Sequence, residues 1–196
     1  IGVPDIIINN AGSGAFYEWS NFPLHEIHRQ INLLYVSPIL ICRKFAPPMK
    51  KLNKGIIANI SSLAILYPVP FMPIYNSTKS ALSSFTQSMI LEFIDYPKFM
   101  DFRLGDVFTN FNKNLSKQPK ISTNNKLNSA WKQIDLQLVE SPTAKRVSEN
   151  ILKNIIKNKS GVFYGGGFFQ SKIAPLCSRF FSQNGLIFLL RRRYFK

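Results

Sequence analysis

Short apolar runs rich in β-branched residues alternate along this chain with longer stretches whose apolar positions recur every three or four residues. The pattern predicts strands over 5–9, 55–60, 102–104 and 161–164, and helices over 24–51, 74–94, 142–157 and 173–190. Strands separated by helical stretches of this length are the mark of an α/β fold with a parallel sheet. The run Ile6-Ile7-Ile8 has no polar alternation, so it belongs to a strand covered on both faces. The segment 110–140 is polar, rich in Asn, Lys and Ser, and only weakly periodic; it reads as a surface loop or a lid. The strand at 55–60 runs into two hydroxyls, Ser61 and Ser62.

The tail carries a separate signal over 168–196. Ile173, Leu176, Cys177, Phe180 and Phe181 fall at helical spacing and make one apolar face. The run from Gly185 to Leu190 then leads into Arg191, Arg192 and Arg193. Such a face covers a core, meets a partner subunit, or, with the basic cluster, rests on an anionic bilayer.

Composition narrows the classes. At 196 residues and 45% apolar content the chain suits one domain, 1–196. Cys42 and Cys177 lie too far apart in sequence for a disulfide framework, and His25 and His28 have no third neighbour to make a metal site. The longest apolar stretch, 31–42, contains Asn32, Ser37 and Pro38 and falls short of the roughly 18 residues that span a bilayer. The net charge of +15 raises nucleic acid as a partner. No binding motif accompanies it and the aromatics do not interleave with it as stacking platforms, so nucleic acid is set aside.

Chemistry is concentrated at Tyr75 and Lys79. Positions i and i+4 share a helix face, and an ammonium beside a phenol favours the phenolate, drawing its pKa down from about 10. A phenol tuned in this way exchanges protons with a carbonyl or an alcohol. Other polar groups keep company with this pair: Asn9-Asn10-Ala11-Gly12 closes the first strand, Asn32 interrupts a helical apolar run, Ser62 ends the second strand, and Leu104-Gly105-Asp106-Val107-Phe108-Thr109 follows the third.

In this order and spacing the pieces resemble the short-chain dehydrogenase/reductase family over roughly residues 1–165. The family's Asn-Asn-Ala-Gly, Asn, Ser, Tyr-x-x-x-Lys and Pro-Gly-x-x-x-Thr elements all have counterparts, with Leu104 standing where proline is usual. The resemblance implies a Rossmann-like, doubly wound parallel sheet of which this chain is the carboxy-terminal portion, about four strands with flanking helices. The family's glycine-rich, phosphate-binding turn has no counterpart. Gly12-Ser13-Gly14 lacks the helix-opening spacing, and Gly165-Gly166-Gly167 fits a turn. The expectation is a piece of a longer enzyme, with the strand Ile6-Ile7-Ile8 left at an open edge.

The resemblance also implies roles. Tyr75 is the acid/base, Lys79 tunes it and holds the nicotinamide ribose, Ser62 binds the substrate carbonyl, and Asn32 holds a water that links Lys79 to solvent. Ser61 is the alternative to Ser62 by a slip of one residue. Asn10, Ala11 and Gly12 line the adenosine side of an NAD or NADP cofactor, and Gly105, Val107 and Thr109 meet its nicotinamide end. The segment 110–140 is then the substrate lid. The implied activity is oxidoreduction: hydride transfer between the nicotinamide and an apolar, lipid-like carbonyl or alcohol. NADP is favoured by the basic chain and by lipid-type members. The implied state is a cytoplasmic homo-oligomer, with peripheral membrane contact through 173–196 as a further expectation. The competing reading is a non-catalytic remnant that dimerises or binds a partner through its long helices.

Overall fold

The structure, a computed structural model, describes residues 2–118 and 125–195. Four parallel strands form the main sheet in the order β1 (Ile6–Asn9), β3 (Ile56–Ser62), β4 (Lys98–Leu104), β6 (Gly161–Gly165). The register runs from Ile6 beside Ile56 to Leu104 beside Gly165. The predicted parallel α/β class is therefore the observed one. β4 starts four residues earlier than its sequence pattern suggests. Phe99 and Met100 are apolar and fully buried, but Asp101 breaks the run.

Side chains along a strand point alternately to its two faces, and both faces of the central strands β3 and β4 are covered. The expected two-sided cover of β1 is found only on the Ile7 side. Ile57 and Phe99 pack with Cys42, Ala46 and Met49 of α2 (Ser37–Lys51) and with Phe93 beyond α3 (Pro73–Glu92). On the opposite face, Ile56, Ala58, Ile60, Met100 and Phe102 pack against Ile155 of α5 (Ala144–Ile156). Each fully buried Phe contributes roughly 1.5–3 kcal/mol. β1 lies at the edge of the described sheet, and Ile6 and Ile8 are each 48% exposed.

The long helix predicted over 24–51 is one helical run with a fault in it. After α1 (Leu24–Ile31), a π turn occupies Asn32–Val36 and passes directly into α2. Pro38 explains the fault: it has no N–H to donate, and its ring would strike the carbonyl four residues back. The helix admits an extra residue instead, and Ser37 Oγ donates to the Asn32 carbonyl at 2.8 Å. At the far end Gly55 returns the chain to β3 with φ +111°, where a Cβ would also run into Met49.

A second, smaller layer covers the carboxyl ends of the strands. β2 (Ala15–Phe16) pairs with β5 (Ser116–Lys117). Phe16, Met72 and Leu115 join Leu127 and Ala130 of α4 (Asn125–Val139) and Tyr194 of α7 (Gln183–Tyr194) in one cluster. The segment read as a loop over 110–140 thus carries a helix. Leu127, Ala130 and Ile134 face this cluster, at a spacing hidden by the polar residues between them.

The tail also departs from expectation. The single helix predicted over 173–190 is two: the short α6 (Ala174–Cys177), entered by a π turn, and α7. Ser182 Oγ accepts from the Gly185 N–H at 3.2 Å and caps α7, so a local cap outcompetes continuation through 178–182.

Candidate active site

The carboxyl ends of β1, β3 and β4 and the cap enclose a cavity of about 750 Å³. Parallel α/β sheets place ligands at this end because loops there converge from several strands. Nine of the ten residues singled out from the sequence line it.

α3 supplies the central pair. Asn76 starts it off by donating Nδ2 to the Val69 carbonyl at 2.8 Å and accepting from the Val69 N–H at 3.3 Å, so the loop before the helix is tied to its first turn. Tyr75 is half-buried with its ring 5.8 Å from that of Phe111. Lys79 is 5% exposed, and its Nζ donates to the Ile60 carbonyl at 2.6 Å while lying 5.9 Å from the Tyr75 ring centre. Burial lowers the Lys79 pKa to about 8, against an upward pull from the Asp101 carboxylate. Burial pushes the Tyr75 hydroxyl above its ordinary value; a hydrogen bond with Ser62 opposes this, and the Asp106 carboxylate reinforces it. The net shift of Tyr75 is thus upward, and Lys79 is not among the groups that set it. Desolvation of the phenolate dominates, and the ammonium is turned toward the sheet.

Ser62 ends β3 and turns into the cavity, where its Oγ also accepts from the Ala64 N–H at 3.1 Å. The neighbouring Ser61 is committed elsewhere, donating to Asp101 and to the Phe102 carbonyl. Of the two hydroxyls, Ser62 is the one placed beside Tyr75.

Asn10, Ala11 and Gly12 form an open rim where β1 ends, and Gly105, Val107 and Thr109 form the wall beyond β4. Thr109 Oγ1 accepts from the Phe111 N–H within its own loop. Asn32 alone is outside the wall: its side chain is exposed, and its carbonyl is engaged by Ser37 in the π turn.

Several cavity residues had no motif to announce them. Gln170, brought over by the tail, donates Nε2 to Asp106 Oδ2 at 2.5 Å and accepts from the Asp106 N–H at 3.0 Å. Gly105 is required beneath it, since a Cβ there would run into the Gln170 amide. Burial raises the Asp106 pKa, opposed by the Gln170 hydrogen bond and by Arg193. Tyr67 OH donates to the Ala174 carbonyl at 2.6 Å, a second tie between the site and the tail. The remaining walls are mostly apolar, with Ile134 and Leu138 from α4, Phe169 and Phe181 from the tail, and Leu186, Leu189 and Leu190 from α7, interrupted by Asn112, Gln137 and Arg193. Phe181 and the leucines of α7 belong to the apolar tail read from the sequence, the weak helical spacing of α4 could have found Ile134 and Leu138, and Phe169 had no signal.

Comparison with known proteins agrees with this arrangement. A family model described as short chain dehydrogenase matches residues 2–120. An uncharacterized oxidoreductase of Schizosaccharomyces pombe is 36% identical over 92 residues, covering 46% of this chain and 32% of the relative. A 3-ketodihydrosphingosine reductase of Bacteroides thetaiotaomicron is 30% identical over 118 residues, covering 59% of this chain and 44% of the relative. The chain therefore spans about a third to under half of the length of these relatives. Among solved structures, a 4-hydroxyisoleucine dehydrogenase complexed with NADH superposes with a TM-score of 0.51 at 26% identity, over 54% of this chain and 47% of that one. Fold order, cavity and a family match over more than half of the chain lead to one assignment: the protein belongs to the short chain dehydrogenase family.

Proposed function

We propose that the protein is the catalytic portion of an NAD(P)-dependent oxidoreductase that interconverts a carbonyl and an alcohol on an apolar, lipid-like substrate. The observation that carries this reading is the placement of Tyr75, Ser62 and Lys79 in one cavity whose outer walls are mostly aliphatic and aromatic. The reductase of 3-ketodihydrosphingosine among its relatives supports the substrate class, and the NADH complex supports the cofactor class. The cavity also favours an enzyme over a non-catalytic dimerising module, which needs no such enclosure.

The residues present suit a nicotinamide end. Lys79 has three N–H donors and gives one to Ile60, leaving others for ribose hydroxyls. Asn10, Ala11 and Gly12 offer an open backbone rim for the adenosine side. Gly105, Val107 and Thr109 would border the ring. Redox equivalents are what the bound nicotinamide supplies. Within the chain, Ser62 Oγ donates to the substrate oxygen and orients it. The Tyr75 hydroxyl, held neutral by burial, passes its proton to that oxygen as charge develops. Charge on Lys79 stabilises the resulting phenolate. Asn32 is proposed to serve proton resupply, through rearrangement of the π turn.

The test is turnover of NADH or NADPH with long-chain keto substrates, using the protein as its source makes it. Tyr75→Phe is expected to lower the rate by a hundredfold or more while cofactor binding stays near normal; retained turnover ends the assignment.

Two partner readings accompany the enzyme. A homo-oligomer follows the family's habit. A peripheral hold on anionic membrane is favoured by a specific observation: Phe168, Phe180 and Phe188 are 72%, 80% and 59% exposed, beside exposed Arg179, Arg191 and Arg192 or in the same segment. No Asp or Glu occurs after Glu149. No helix among the described residues is long and apolar enough to cross a membrane.

A further inference from the structure

Beneath the cavity floor, α3 meets the sheet across a polar seam that the mechanism above leaves unused. Asp101, in the middle of β4, is fully buried. Ser83 Oγ donates to its Oδ2 at 2.6 Å, Arg103 Nε donates to the same oxygen at 2.9 Å, and Ser61 Oγ donates to Oδ1. Arg103 is anchored in turn, through Nη2 to Ser83 Oγ at 3.0 Å and through Nη1 to Tyr164 OH at 3.1 Å.

Both ends of this clamp adjoin Lys79. Ser83 lies one turn further along the same face of α3, and Ser61 follows Ile60, whose carbonyl receives the Lys79 N–H. Two cations, the buried Lys79 and the half-buried Arg103, therefore act on one buried carboxylate. A buried charge is costly without a partner; Asp101 is ion-paired with Arg103 and is the carboxylate that pulls on Lys79. The other groups facing this region are Tyr75 on α3 itself, Tyr164 from β6 behind Arg103, and Asp106 from the loop after β4, which acts on Tyr75. Cys42, further along the seam beside Asn9, is kept protonated by burial.

We propose that Asp101 is a positioning residue: clamped by Ser61, Ser83 and Arg103, its carboxylate is the counter-charge that keeps Lys79 protonated and lying along β3 toward the cavity. The consequence for catalysis rests on the reading of Tyr75 and Lys79 as an acid–base pair; the electrostatic relation does not. A polar seam that only held α3 to the sheet would make no distinction between removing the anion and removing the cation.

The test is competitive acetylation of Lys79 across pH, followed by mass spectrometry of its peptide, with no cofactor and no turnover. The unmodified protein is expected to show a labelling midpoint near 8. Asp101→Asn is expected to move the midpoint down by a unit or more. Arg103→Gln leaves the carboxylate undivided and is expected to move the midpoint up. A seam that is merely structural opens in both variants and sends both midpoints up toward free lysine. A midpoint that rises or stays in Asp101→Asn overturns the proposal, as does one that falls or stays in Arg103→Gln. Where Asp101→Asn does not fold, Arg103→Gln decides together with hydrogen exchange of β3: a raised midpoint with β3 protection unchanged supports the proposal, and a raised midpoint with β3 protection lost, which marks an opened seam, overturns it. Absence of turnover in the oxidoreductase assay leaves this result standing, so the two readings fail separately.

Discussion

Lys79 gives its closest hydrogen bond to the main-chain carbonyl of Ile60, at 2.6 Å, while its ammonium stands 5.9 Å from the ring centre of Tyr75. The lysine is thus buried against the sheet, with a pKa lowered to about 8 from an ordinary 10.5. A folded-state value below the unfolded one means that the unfolded chain binds more protons between about pH 8 and 10.5, so stability rises with pH across that window. At neutral pH the burial costs about 3 kcal/mol. Lys79→Met is expected to flatten stability between pH 8 and 10 and to raise the melting temperature at pH 7. Thermal melts at pH 7, 8, 9 and 10 check this; parallel curves for the two proteins would rule it out. Tyr75, whose pKa is raised, works in the opposite direction only above pH 10.

Asp106 and Tyr75 share the cavity, and the carboxylate makes the phenolate harder to form. Asp106→Asn is expected to lower the Tyr75 pKa while keeping an oxygen able to accept from Gln170 Nε2. Ultraviolet titration, differenced against Tyr75→Phe to isolate this one tyrosine, reads the shift. An unchanged or higher value contradicts the arrangement.

Gly105 lies directly under Gln170, so a methyl group there must displace the amide that holds Asp106. Gly105→Ala is expected to cost roughly 1–3 kcal/mol, the usual price of overpacking. Gln170→Ala should remove most of that increment, and a double-mutant cycle in denaturant measures the coupling. Additive effects would show that the two residues do not meet.

Exposed phenylalanines make the membrane reading testable without disturbing the core. The triple change Phe168→Ser, Phe180→Ser, Phe188→Ser removes side chains that are mostly in solvent. It is expected to reduce sedimentation with vesicles containing anionic lipid by tenfold or more and to leave the melting temperature nearly unchanged. Added salt should weaken binding of the parent protein, because the arginines act through a screened potential. Equal sedimentation of parent and variant would remove the membrane from the account.

The strands and the main helices were readable because each is dictated by local periodicity, and Tyr75 with Lys79 because one helical turn sets their spacing. Asp101 misled the reading of β4, since a charged residue in an apolar run looks like a strand end. Arg103 and the partner hydroxyls Ser61 and Ser83, 40 and 18 residues away from Asp101, together make that burial tolerable. α4 was missed for a related reason: Leu127, Ala130 and Ile134 are too sparse to mark a helix until Phe16 and Tyr194 supply the surface they pack on.

What the chain determined by itself is its class, its parallel strands, the Tyr75–Lys79 pair and the basic, aromatic tail, which follow from the kind and spacing of neighbouring residues; the other eight candidate residues were implied by the family resemblance. Tertiary structure decided which of those ten share a cavity, that Ser62 rather than Ser61 faces Tyr75, that the tail delivers Gln170 to Asp106, and that Tyr75 is shifted upward. These are relations between segments far apart in sequence. They depend on where water is excluded and where an ammonium can reach a carbonyl, and no local pattern of residues encodes that.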